Sequence, residues 1–175
     1  MQKLKKLSLS SLENEAPVLR EIDQEKIFGG SVPITTLPFC YFDSLEYIDQ
    51  QCGGTNDENF YLNSFGHQYG YGYMQTGVTA AQANTFTSEY FNTTPNLATN
   101  QWQGYVANGG MIMTDIYQGV DSSGQAYSHA VVITGYNSTT GQYSYHDATD
   151  KTSSTAGASF FNASLAIGVN GTCLP

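Results

Sequence analysis

Beyond Gly30 the chain holds one basic residue, Lys151, against ten acidic ones, and this part carries the whole net charge of −9. A surface so poor in lysine and arginine does not neutralise phosphates, which makes nucleic acid and anionic membranes poor partners. Long apolar runs are lacking too: no stretch approaches the roughly 20 residues of a membrane-spanning helix. Histidine and cysteine number three each. With no Cys-x₂-Cys or His-x₃-His spacing, a structural metal is not expected, and nothing implies a cofactor. Asp121–Gly124 and Asp147–Asp150 loosely echo calcium loops but lack the remaining ligands. The odd cysteine count fits one pair and one free thiol in an oxidising compartment.

The basic residues that are present crowd into the first thirty positions. Lys3, Lys5, Lys6, Arg20 and Lys26 are balanced there by Glu13, Glu15, Glu21, Asp23 and Glu25. So abrupt a change of composition reads as a processing boundary. The segment has no continuous apolar core of the kind a general secretory signal needs. Its basic start, Leu19 and Ile27 upstream of the break, and the terminal pair Gly29-Gly30 resemble a double-glycine leader; Gln24 stands where many such leaders carry leucine or methionine. Two residues without side chains let an extended chain thread a narrow protease cleft. The resemblance implies cleavage between Gly30 and Ser31 by a peptidase-containing ABC exporter. Residues 1–30 would then be a removed leader and residues 31–175 one extracellular bacterial domain of ordinary size.

Tyr41, Leu45, Ile48 and Cys52 recur at spacings that share one helical face, with Pro38 ahead and Gly53-Gly54 behind. This predicts a helix over 40–52. Cys40 then lies in the first turn, where unpaired N–H groups and the positive dipole end favour a thiolate. Residues 64–77, rich in Gly and Tyr, read as a loop with aromatic contacts. Helices are expected over 79–90, with Thr79 as N-cap, and over 100–108. Strands are expected over 111–117, 130–136 and 142–147, the last two joined by a hairpin loop at 137–141, and near 159–167. Helices first and antiparallel strands after place the chain in the α+β class.

A nucleophilic cysteine needs a base within reach and a group that orients the base. Cys40 opens the first helix, His129 opens the strand 130–136, and Asp147 closes its hairpin partner. With the loop centred near Thr139, Asp147 falls opposite Val131, on the sheet face of His129. The carboxylate is expected to hold Nδ1–H of the imidazole and leave Nε2 for the thiol. His146 faces the other way and is expected at the surface. Cys52, at the negative end of the helix dipole, is expected in the core or paired with Cys173.

Cys40 at a helix start, the run Ser128-His129-Ala130-Val131-Val132-Ile133-Thr134-Gly135-Tyr136, and the hairpin ending in Asp147 resemble a papain-like cysteine peptidase, in the form of the C39-like group. Ala148 stands where that group has proline after the aspartate. The resemblance covers most of 38–150. It implies a papain-like fold, a helical half bearing Cys40 and a sheet half bearing His129 and Asp147, and hydrolysis of peptide or amide bonds in a peptide or protein substrate. Papain-like enzymes also place an oxyanion-binding glutamine five or six residues before the cysteine. The window Ile34–Phe39 has none, leaving the backbone N–H of Cys40 as one donor. A catalytically inactive secreted effector, bacteriocin-like or binding, on the same scaffold is the alternative.

Overall fold

The computed structural model describes residues 38–120 and 126–173, all within the compact unit Val32–Pro175. The expected leader, its cleavage residues Gly29, Gly30 and Ser31, and the glutamine-free window as far as Leu37 lie outside the described residues.

Helix α1 spans Pro38–Gln51, two residues earlier than its apolar spacing indicated. Proline suits the first helical position, where its missing N–H is an orphan in any case. Tyr41, Phe42, Leu45 and Ile48 are fully buried. The helix ends as Gly53 takes φ +84°, and Gly54 N donates to Asp49 O at 2.8 Å. Asp49 is buried and accepts hydrogen bonds from Tyr61 Oη (2.8 Å) and Asn56 N (2.9 Å), which tie α1 to the next helix.

That next helix, α2 (Glu58–Tyr69), corrects the sequence reading, because its last turns occupy the front of the segment read as a loop. Asp57 caps it by accepting from Phe60 N at 2.8 Å. Tyr61 and Phe65, four residues apart, bury one face. Gly66 weakens local helix propensity, yet the helix runs through it with Tyr61 and Phe65 buried in the aromatic core; a Cβ at 66 would press on the half-exposed Tyr71 ring, which would have to shift. Tertiary aromatic packing therefore overrides a poor local signal. The single turn α3 (Tyr73–Thr76) follows.

Helix α4 (Ala80–Tyr90) begins with the expected Thr79, which forms a full capping box with Gln82. Thr79→Ala is expected to cost about 1 kcal/mol, read as a lower urea midpoint at unchanged slope. A short strand β1 (Phe91–Thr94) precedes helix α5 (Thr99–Ala107).

The remaining strands are β2 (Met111–Val120), β3 (Ala126–Asn137), β4 (Gln142–Asp147), β5 (Thr152–Ala156) and β6 (Asn162–Cys173). They join β1 in one antiparallel sheet of order β1-β6-β2-β3-β4-β5. The fold is thus α+β, as the order of elements indicated. The two strands absent from the sequence reading, β1 and β5, are the edges. Thr-Ser-Ser-Thr-Ala has no apolar alternation to announce it, and short polar strands are how sheets protect their edges.

Both sheet faces are covered. Met113, Val132 and Ile167 face α1, α2 and α4, while Ile112, Val131 and Ile133 face Trp102 and Val106 of α5. Burial on both sides explains why β2 and β3 read as continuous apolar runs. Among the described residues no helix is long and apolar enough to cross a membrane.

Candidate active site

Cys40 sits in the first turn of α1 and is 2% exposed. Its helix is anchored by Tyr41, whose hydroxyl lies 2.9 Å from Thr87 Oγ1 and donates to Ala83 O at 3.2 Å. Ser44 Oγ donates to the Cys40 carbonyl at 2.7 Å. From the sheet side, the backbone N–H of Ala130 donates to Cys40 Sγ at 3.2 Å. The cysteine of the helical half thus meets the residue that follows His129 in β3, across 90 positions of sequence.

His129 and Asp147 meet as the hairpin register requires. Val132 pairs with His146, so Asp147 falls opposite Val131, on the face of His129. Asp147 Oδ2 lies 2.7 Å from His129 Nε2, and the two side chains are 15% and 12% exposed. The other carboxylate oxygen accepts from Asp150 N at 3.2 Å. The ring is turned the reverse way to the one expected: Nε2, not Nδ1, meets the carboxylate. Register settles which residues face each other; the ring orientation depends on a side-chain rotamer that register does not set.

The charge state of Cys40 also departs from expectation. Burial is the main cause that pushes its thiol up to about 12, and the negative charges of Asp43 and Asp147 push in the same direction. The N–H groups of Ala130 and of Cys40 itself pull the other way and lose. At rest Cys40 is therefore a neutral thiol: desolvation and two carboxylates outweigh the helix dipole.

His146 faces away from Asp147, as expected, and lies half-exposed on a cavity wall, where its ring stacks on Tyr47 at 4.1 Å and Nδ1 lies 3.0 Å from Ser153 Oγ. Cys52 is half-buried and packs against the helical core. Cys173 ends β6, and the expected Cys52–Cys173 pairing lies outside the described side chains.

Two sets of residues around the site were not singled out from sequence. Asp43, three residues after Cys40, accepts a 2.6 Å hydrogen bond from Thr149 Oγ1. The pair borders a cavity of about 550 Å³ whose wall also includes Glu46, Tyr47 and His146. The helical i, i+3 spacing of Cys40 and Asp43 was a readable signal; the role of Thr149 was not. In β2, paired with Ala130 of the strand that carries His129, Asp115 is 3% exposed; its Oδ2 accepts from Ser128 Oγ at 2.5 Å and from Asn162 Nδ2 at 3.3 Å, joining β2, β3 and β6. Its Oδ1 is buried without a hydrogen-bond partner.

Burial raises the Asp115 carboxyl above the usual carboxylate range, against the pull of Ser128 and Asn162. A carboxyl so raised binds its proton more tightly in the folded state. Its favourable contribution to stability is complete below the unfolded pKa and is lost as pH rises through the folded one. Asp115→Asn is expected to flatten that loss: the melting-temperature difference, variant minus wild type, is more positive at pH 7 than at pH 3.5.

No protein-family model matches the chain, and none of the curated proteins matches it. The site is therefore argued from its own geometry. Among the described residues no cluster of His, Cys, Asp and Glu suited to a metal ion is present.

Proposed function

We propose that this protein is an exported hydrolase of papain-like type that cuts peptide or amide bonds through a Cys40 thioester. The observation that carries the reading is the convergence of Cys40 Sγ on the β3 backbone beside His129, with His129 held by Asp147. In this scheme Nδ1 of His129 takes the thiol proton as the sulfur attacks the carbonyl carbon. The C–N bond then breaks, and the amine leaves with that proton. Water, deprotonated by the same imidazole, hydrolyses the thioester and restores the thiol. Asp147 fixes the ring and favours the imidazolium formed in each half-reaction. The backbone N–H of Cys40 serves as oxyanion donor in place of a side-chain amide. The neutral resting thiol fits a mechanism in which proton transfer accompanies attack, rather than one that starts from a standing ion pair.

The reading extends to export. Residues 1–30 are a double-glycine leader recognised by a peptidase-containing ABC exporter, and the domain from Ser31 works outside a bacterial cell. Incubation of the purified protein with a defined peptide mixture, followed by mass spectrometry, tests the activity. New termini are expected with wild type and not with Cys40→Ala; equal patterns overturn the reading. The mass of the exported form reports whether the cut falls after Gly30.

One observation favours a second reading. A thiol pushed up to about 12 suits an inactive binding protein or bacteriocin-like effector on the same scaffold. In that case Cys40→Ala retains the biological effect.

A further inference from the structure

The turn from β4 to β5 carries Asp147 at one end and sends Thr149 back to α1. Thr149 Oγ1 donates to Asp43 Oδ2 at 2.6 Å, joining residues 106 positions apart. Asp43 lies on the same side of α1 as Cys40, one turn further on. The contacts close a ring. Cys40 Sγ accepts from Ala130 N, His129 precedes Ala130 in β3, and His129 Nε2 meets Asp147. Two residues beyond Asp147, Thr149 reaches Asp43, and α1 leads back to Cys40.

Each half of this ring has its own scaffold. The β3–β4 ladder fixes His129 against Asp147, and Val132 and the His146–Tyr47 stack seat that ladder on α1. The packing of α1 fixes Cys40 against the other helices. The Asp43–Thr149 bond joins the turn to the helix directly, at the level of the site.

We propose that Asp43 and Thr149 are a positioning pair that holds the Asp147 turn onto the Cys40 helix and so sets the spacing of thiol and imidazole. This rests on the reading of Cys40 and His129 as nucleophile and base. Asp43 interacts electrostatically with Cys40, His129 and Asp147 alike, so it lies where such a pair must act. Burial raises its carboxyl, and the Thr149 hydroxyl pulls in the opposite direction by stabilising the anion that accepts the bond.

The test is the rate at which iodoacetamide alkylates Cys40 in the full chain, followed by peptide mass mapping at pH 7. Thr149→Val keeps shape and removes the donor; alkylation is expected to slow about tenfold, the rate equivalent of one hydrogen bond. Thr149→Ser restores the donor and is expected to return to within about twofold of wild type, with both variants melting at the same temperature. In the Asp43→Ala background, where the charge beside the thiol is also gone, adding Thr149→Val is expected to change the rate by less than about twofold. Equal rates in Thr149→Val and wild type, no rescue by serine, or an undiminished Thr149→Val effect in that background overturn the pair. His129→Ala separates the two ideas: if it slows alkylation while Thr149→Val does not, the pair alone fails. If His129→Ala leaves the rate unchanged, the nucleophile–base reading fails with it.

Discussion

For the proposed hydrolase, His129→Ala is expected to lower the rate of peptide-bond cleavage by about 10²–10⁴-fold, the usual contribution of a positioned general base. The argument starts from the thiol. Burial together with the charges of Asp43 and Asp147 pushes it up to about 12, so at neutral pH almost none of it is ionised. A cysteine in that state attacks only if a base removes its proton as the bond forms. His129 directly precedes Ala130, whose N–H meets Cys40 Sγ. His67 lies on α2, and His146 is engaged with Tyr47 and Ser153. The rate of appearance of new peptide termini in wild type and variant gives the number. Asp147→Asn is expected to fall between the two, because it keeps the shape of the ring's support but removes the charge that favours the imidazolium.

The second large effect concerns the platform under Cys40. Phe65 of α2 is fully buried, with ring centroids 5.0 Å from Tyr73 and Phe86, 4.5 Å from Tyr69 and 5.5 Å from Phe42. Phe42 and Tyr41, whose ring also contacts Phe65, follow Cys40 immediately in α1. Truncation at Phe65 opens a cavity that these rings cannot all collapse into. Phe65→Ala is expected to cost about 3–5 kcal/mol, seen as a drop in melting temperature of roughly 10 °C or more. A loss within 1 kcal/mol would mean that this cluster does not seat α1.

Local patterns made part of this structure readable. The spacing of Tyr41, Leu45 and Ile48 located α1, and Thr79 located the start of α4. Period-two alternation, with a short loop after Asn137, put Asp147 opposite Val131 and therefore beside His129. Each of these depends on neighbours a few residues apart. What escaped depends on distant contacts. Helix α2 is stabilised by aromatic packing against α1 and α4 that no window around Gly66 reveals. The edge strands take their conformation from β4 and β6 rather than from their own residues. Thr149 meets Asp43 only because the whole β3–β4–β5 meander folds back onto α1. The neutral Cys40 has the same origin: the helix dipole is local and legible, whereas burial under the sheet and the charge of Asp147 arrive with the tertiary fold. The exchange of Nδ1 for Nε2 is finer still, one rotation of a ring whose position was already indicated.

The most direct measurement is the alkylation rate of Cys40 by iodoacetamide at pH 7 in wild type and in His129→Ala, with glutathione in the same reactions as reference thiol. If His129 is the base for Cys40, the Cys40 rate relative to glutathione falls at least tenfold in the variant. Equal Cys40 rates in the two proteins would contradict the assignment of nucleophile and base.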